Sequence, residues 1–286
     1  TNPERVVILG AEGFVGSAVN KILIEKNISA VSIGRSDVDL LQSDAERKLK
    51  KILKPTDSLL VISAEAPVKN NAMLKRNIIM METVCNVIEV IAPKHIIYVS
   101  SDAVYADSMK PLSESSCAEP GSLHGVMHLA RELMISQSYL SPFCIIRPTL
   151  IYGADDPHNG YGPNKFRRLA ESKEDIVLFG HGEEQRDHVL INDVADLIFR
   201  CLLFKSEGVL NAATGTITSF YDVAKLVVSH FSNPVKIQST TRTGEMPHNG
   251  YRAFEPAATF LAFPDFVYTD INTGLKKIHD EVMENN

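Results

Sequence analysis

The tightest constraint on what this chain can fold into stands at its start, in Val6-Val7-Ile8-Leu9-Gly10-Ala11-Glu12-Gly13-Phe14-Val15-Gly16. A run of four β-favouring apolar residues enters a Gly-x-x-Gly-x-x-Gly turn, and an amphipathic stretch follows. That order gives a glycine motif its meaning, because it puts the turn between a strand and a helix. Gly10 permits a tight turn, Gly13 lets the backbone approach a pyrophosphate, and Gly16 lets helix and strand pack closely. The helix start, with Phe14 and Val15, presents unpaired N–H groups to the anion. These residues predict a dinucleotide-binding βαβ unit.

Beyond it, short apolar runs alternate with longer amphipathic ones. Strands are expected over 6–9, 30–33, 58–62, 95–100 and 143–147, and helices over 14–25, 43–53, 73–91 and 123–138. Strands apolar throughout suit a parallel sheet covered on both faces, and the alternation predicts a Rossmann-type doubly wound α/β fold. After Pro148 the texture changes. Residues 153–164 hold Gly153, Gly160 and Gly162 with Pro157 and Pro163, which reads as a binding loop. A helix over 165–172, a strand over 176–179, a Gly180-His181-Gly182 turn and a strand-then-helix over 189–204 are expected next, then mixed helix and loop. The predicted organisation is a Rossmann domain, 1–152 with 189–215 returning to it, and a smaller C-terminal α/β substrate domain from 153–188 and 216–286.

Composition narrows the class. The 286 residues carry a net charge of −6, so bulk attraction to nucleic acid or to an anionic membrane is not expected. No apolar run approaches the roughly 20 residues that span a bilayer. Thr1–Arg5 leads straight into the first strand, which leaves no room for a signal peptide. Cys85, Cys117, Cys144 and Cys201 form no Cys-x-x-Cys pair and read as buried reduced thiols. The expectation is a soluble cytoplasmic protein.

The end of the second strand bears on the cofactor. A carboxylate there would bond the ribose 2′-hydroxyl of NAD, but the residues are Ile33-Gly34-Arg35-Ser36. Gly34 leaves room, Arg35 supplies a guanidinium and Ser36 a hydroxyl, which together favour the 2′-phosphate of NADP over NAD. The alternative is that Arg35 stacks on adenine or lies in solvent.

The chain resembles the extended short-chain dehydrogenase/reductase family, the nucleotide-sugar epimerases, dehydratases and reductases, over nearly its whole length. Besides the glycine motif, Asp39-Leu40 looks like the family's adenine-contacting pair. Ala64-Glu65-Ala66 stands where the family lines the cofactor after its fourth strand, and Asn77 matches a family asparagine followed here by Thr83. Ser100-Ser101-Asp102-Ala103-Val104-Tyr105 resembles Ser-Ser-x-x-Val-Tyr. Arg147-Pro148-Thr149-Leu150-Ile151-Tyr152-Gly153 resembles the segment that puts Pro148 beside the nicotinamide. Residues 185–195, from Gln185-Arg186-Asp187-His188-Val189 on, resemble a signature near the sugar-nucleotide site. The resemblance implies a nucleotide-sugar substrate and a homodimer formed through the helices over 73–91 and 123–138.

One motif departs from the pattern. Where the family has Tyr-x-x-x-Lys, this chain has His124-Gly125-Val126-Met127-His128, and neither Tyr105 nor Tyr139 is followed by lysine four residues on. The i, i+4 spacing puts both histidines on one helix face. Three readings are open. His124 moves the proton and His128 binds the nicotinamide ribose, since histidine titrates near neutral pH. Alternatively, catalysis is lost and the protein is a silent NAD(P)- or nucleotide-sugar-binding protein. In the third, the pair chelates a metal, for which a third ligand is needed. Ser101 would bond the substrate oxygen, or cap the strand end.

For the substrate, Arg186 offers a fork suited to a diphosphate, or else pairs at the surface with Asp187. Asn164, Lys165, Arg167 and Arg168 sit at a helix start where cations make an anion site, one or two of them reaching the ligand. Arg252 resembles a late family arginine on the same diphosphate. His158, His181 and His188 read as surface or satisfied core residues.

Overall fold

The computed structural model describes residues 2–285. Its elements in chain order are β1 (Val6–Leu9), α1 (Phe14–Glu25), β2 (Ala30–Ile33), α2 (Ala45–Ile52), β3 (Ser58–Val61), α3 (Asn71–Ile91), β4 (His95–Val99), α4 (Leu123–Ser138), β5 (Cys144–Pro148), β6 (Leu150–Tyr152), α5 (Pro163–Glu171), β7 (Ile176–Leu178), β8 (Gln185–Leu190), α6 (Ile191–Phe204), β9 (Gly208–Ala212), β10 (Ile217–Ser219), α7 (Phe220–Ser229), β11 (Ile237–Ser239), β12 (Tyr251–Arg252), α8 (Ala257–Ala262) and α9 (Ile271–Asn285). They group into two compact units. Unit 1 comprises 1–106, 116–148 and 194–211; unit 2 comprises 107–115, 149–193 and 212–286.

Unit 1 is built on a six-stranded sheet of order β2-β1-β3-β4-β5-β9. Strands β1, β4 and β5 are buried along their whole length, whereas β2, at the edge, is half exposed. Leu9 pairs with both Ile33 and Val61 in parallel register. The chain thus leaves β1 toward β2 and returns to its other side at β3, so the order reverses there. Ligands of such sheets bind beyond the carboxyl ends of the strands at this reversal. One face packs Leu49, Leu53, Met81, Val84 and Ile88 against Val7, Leu59 and Ile96.

A buried ion pair fastens α4 to this sheet. The Arg147 guanidinium donates to both carboxylate oxygens of Glu132 at 2.9 and 2.6 Å, and Ser100 Oγ donates to the same carboxylate at 2.5 Å. Arg147 also lies over the Tyr105 ring, 4.8 Å from its centre.

In unit 2, β8 is the hub. It pairs antiparallel with β10, and parallel with β12 and β6, while β7 and β11 form a separate parallel pair. The core gathers Tyr152, Phe166, Leu178, Phe220, Val223 and Ile278.

Several expected boundaries move. The helix expected over 165–172 starts earlier, because Pro163 suits the first helical position. The fifth strand is shifted on by one residue, and Ala64-Glu65-Ala66 follows the third strand of the chain, not the fourth. β8 starts at Gln185, ahead of the expected 189. Its Arg186, Asp187 and His188 are buried, and such a run of polar residues hides the strand from an apolar pattern. Cys117 is exposed; the other three cysteines are buried, and all four are free. Among the described residues no helix is long and apolar enough to cross a membrane.

His188 is wholly buried, with neither ring nitrogen hydrogen-bonded, its ring set edge-on to Phe220. Burial pushes its imidazole down to about 3. The unfolded chain takes up a proton near 6.5 that the folded chain refuses. The stability this group contributes is therefore present above pH 6.5 and lost as pH falls from there toward 3. Replacing an unsatisfied buried polar group by an apolar one is close to neutral. His188→Leu is expected to melt at or above the wild-type temperature at pH 7 and to lose less stability between pH 6.5 and 4, as followed by thermal denaturation across that range.

Candidate functional site

The glycine turn leaves β1 with Gly10 at φ +93°, where an added Cβ would come within 2.8 Å of Ser63 N. A Cβ on Gly16 would meet Gly10 O at 2.1 Å, so helix α1 rests directly on the turn. Gly13 caps α1 with no side-chain hydrogen bond. The first amides of the helix are left to an outside acceptor, and the exposed Gly13 puts no side chain in the way. This is the cradle that a dinucleotide pyrophosphate fits.

The other candidate cofactor residues fall into two groups. Phe14 and Val15, half-buried, open α1. Arg35 and Ser36 are exposed just beyond β2, with Arg35 Nε 3.4 Å from Asp39. The Asp39 carboxyl is held below its usual range, chiefly by the Leu41 N–H, which donates to it at 3.1 Å. Leu40 and Pro148 are buried. Asn77 is wholly buried and works on the backbone. Its Oδ1 accepts from Glu65 N at 3.0 Å, and its Nδ2 donates to Glu65 O at 3.0 Å and Met73 O at 2.9 Å. It thereby fixes the segment carrying Ala64 and Ala66. Thr83 Oγ1 donates to Leu40 O at 2.9 Å and tethers that loop.

Ser101 lies just beyond β4 and caps the short 3₁₀ turn Asp102–Val104, its Oγ accepting from Ala103 N at 3.1 Å. His124 stands in the first turn of α4, after the Ser122 cap, with Val68 N–H pointing at its Nδ1 over 3.5 Å. The His124 and His128 rings meet edge to face, 4.7 Å between centres. His128 is buried, and its Nδ1 lies 2.8 Å from Tyr98 OH. Burial, then the neighbouring His124 and Arg131, hold the His128 imidazole well below its ordinary value. It is therefore neutral. Burial likewise pushes the Tyr98 phenol up to about 12, so Tyr98 keeps its proton and needs an acceptor. Tyr98 donating to Nδ1 satisfies both groups and puts the single imidazole proton of His128 on Nε2. Among the described residues no cluster of three His, Cys, Asp or Glu joins the pair to make a metal site.

Sequence reading missed Tyr98, Arg131 and the Glu132–Arg147 pair. Arg131 is fully buried, its guanidinium 5.3 Å from the Tyr98 ring centre, and it donates to Ser63 O at 2.7 Å. Two adjacent charged residues, Arg131 and Glu132, one turn after His128 in an amphipathic helix were the available signal.

In unit 2 the two arginines expected at a diphosphate come together: Arg252 on β12 is in register with Arg186 on β8, and both are buried. Arg186 pairs with Glu184 at 3.0 Å, a correction to the surface pairing with Asp187. Asp187 instead accepts from Thr214 and Gly215 at 2.8–3.0 Å. Arg252 pairs with Asp107 at 3.1 Å, and His248 Nδ1 lies 2.5 Å from the same carboxylate. In the first turn of α5, Asn164 accepts from Gly153 N at 3.1 Å. Arg168 stands in the last turn and not at the helix start as expected, because the helix begins at Pro163, and it donates to Asn159 at 3.0 Å and to Asp156 O. Both hold the Gly- and Pro-containing loop, and Arg167 pairs with Glu171. Lys165 is half-buried.

The family model that matches residues 6–213 is described as NAD dependent epimerase/dehydratase family. The chain belongs to that family. A putative UDP-glucose 4-epimerase from Methanocaldococcus jannaschii is 24% identical over a 312-residue alignment, covering 98% of this chain and 99% of that protein. A dTDP-L-rhamnose 4-epimerase from Burkholderia thailandensis is 31% identical over 138 residues, 45% of this chain and 38% of that relative's length. Among solved structures, a GDP-L-fucose synthetase from Naegleria fowleri superposes with TM-score 0.85 at 19% identity, covering 100% of this chain and 95% of that one. The Thermus thermophilus UDP-glucose 4-epimerase in complex with NAD gives 0.84 at 19%, covering 98% and 99%. These structural likenesses show the Rossmann-like α/β fold, and membership of the family shows NAD(P) binding.

Tyr98→Phe removes the donor that sets the His128 proton. The expected outcome is a shift of the His128 ring-nitrogen NMR signals toward a mixture of tautomers. Unchanged ring-nitrogen signals would contradict the assignment.

Proposed function

We propose that this protein carries out an NAD(P)-dependent conversion of a nucleotide sugar, of the epimerase, dehydratase or 4-keto reductase kind. The observation that carries the reading is the imidazole pair of α4, standing at the family's acid/base position in a unit that also holds a complete dinucleotide cradle. When bound, the nicotinamide supplies the site that accepts a hydride from the sugar carbon or delivers one to it. Gly10, Gly13 and Gly16, with the first amides of α1, hold the pyrophosphate, and Asp39, Leu40, Ala64, Ala66 and Pro148 line the rest. Ser101 holds the reacting sugar oxygen, and His124 takes its proton during oxidation and returns it during reduction. His128, with its proton on Nε2, donates to the nicotinamide ribose in place of the family's lysine.

In unit 2, Arg186 and Arg252 hold the diphosphate, exchanging Glu184 and Asp107 for an anion of higher charge. Lys165 adds a third cation, while Asn164 and Arg168 order the loop before it. Arg35 and Ser36 support NADP by residue type, but the charges around Gly34 decide between the two dinucleotides. The same reading includes a cytoplasmic homodimer formed through α3 and α4, where Val90, Val126 and Leu133 are exposed.

A second reading, a silent binding protein of the same fold, is favoured by one observation: α4 carries no Tyr-x-x-x-Lys. Both readings predict cofactor binding, so turnover separates them. With a panel of UDP-, dTDP- and GDP-sugars, the enzyme reading expects conversion of at least one, reduced about 10²–10⁴-fold in His124→Ala. No turnover on any of them supports the silent reading, and equal turnover by the variant removes His124 from the mechanism.

A further inference from the structure

We infer that Glu12 selects the dinucleotide: its carboxylate takes the place of the acid missing from the end of β2, accepts from the adenosine ribose hydroxyls of NAD, and repels the 2′-phosphate of NADP. The inference rests on the dinucleotide reading above and concerns only which dinucleotide is held.

The geometry starts from the pairing of β1 with β2. Gly10 N donates to Ile33 O at 3.0 Å, so the glycine turn lies alongside the first residue beyond β2. From that turn the exposed Glu12 side chain reaches over Gly34. A Cβ built on Gly34 would lie 2.3 Å from Glu12 Cδ and 2.4 and 2.5 Å from its two oxygens. The carboxylate therefore occupies the space a side chain at position 34 would fill, and Gly34 admits it. In dinucleotide-binding folds this end of the second strand is where an acidic side chain bonds the ribose 2′-hydroxyl. Here the carboxylate arrives from the glycine turn, a different stretch of chain.

The surrounding charges point the same way. Arg35 is 72% exposed, and its Nε is 3.4 Å from Asp39. Asp37 Oδ2 accepts from Gly34 N at 2.9 Å. Around Gly34 there stand three carboxylates, Glu12, Asp37 and Asp39, and one guanidinium, already shared with Asp39. A phosphate monoester brings about −1.5 to −2 further charges at neutral pH. Like charges at such short range disfavour it, whereas a ribose hydroxyl donates to a carboxylate without added charge.

The test is the pair of dissociation constants for NAD and NADP, measured by calorimetry on the whole protein, on Glu12→Gln and on Glu12→Arg, at low and at high salt. The expected result is NAD bound about tenfold or more tighter than NADP by the wild type. Glu12→Gln should narrow that ratio, mostly by strengthening NADP, and Glu12→Arg should invert it. High salt should narrow the wild-type ratio, because the discrimination is between solvent-exposed charges. NADP binding as tightly as NAD to the wild type, or an unchanged ratio in Glu12→Gln, would overturn the inference while leaving the dinucleotide site standing. Binding of neither nucleotide would overturn the dinucleotide reading itself, and this inference with it.

Discussion

The candidate active residues of unit 1 depend on one buried ion pair. Glu132 on α4 and Arg147 on β5 meet through two hydrogen bonds, with Ser100 adding a third from the end of β4. Two charges withdrawn from water carry a desolvation penalty, which is offset only when geometry and satisfaction are both good. Both conditions hold here. The pair is bidentate, the carboxylate has a further donor, and the Tyr105 ring covers the guanidinium. Removing either partner would leave an uncompensated buried charge, typically costing about 3–5 kcal/mol. What the pair gives in return is position. It fixes α4 against the strand ends that lead into Ser101 and Pro148, and His128 and His124 lie one and two turns before Glu132 on the same helix.

The chemistry on that helix differs from the family pattern in charge as well as in residue type. A lysine at position 128 would bring a cation beside the proton-transferring group. His128 is neutral, and the cation appears one turn later as Arg131, buried against Tyr98. The helix thus keeps a positive charge in its buried face, with the neutral His128 ring and then His124 ahead of it. Tyr98 completes the arrangement by settling which nitrogen of His128 carries the proton.

Much of unit 1 is legible in the sequence because its strands are mostly apolar, with few polar residues such as Arg147, and its helices are amphipathic. The bounds 6–9, 14–25, 30–33 and 123–138 coincide with the observed elements. Unit 2 was less legible, and for a physical reason. β8 places Arg186, Asp187 and His188 ahead of its apolar end, all three buried although no local pattern announces it, and β6 and β12 are too short to show a period. The glycine cradle could be read because it is contiguous. The pairing of Arg186 with Arg252, and the approach of Glu12 to Gly34, are register effects between strands distant or only indirectly linked in sequence. Such effects appear once the strands are paired.

In the proposed function the imidazole pair supports hydride transfer where the family uses tyrosine and lysine. Mixing the NAD(P)-loaded protein with a nucleotide sugar in a stopped-flow instrument, and following the absorbance of reduced nicotinamide within one turnover, tests it most directly. An epimerase or dehydratase of the proposed kind is expected to show a transient rise with at least one UDP-, dTDP- or GDP-sugar, and a 4-keto reductase a fall when loaded with the reduced cofactor and given the keto sugar. No change in either direction across those sugars, with the dinucleotide shown to be bound, would contradict the account.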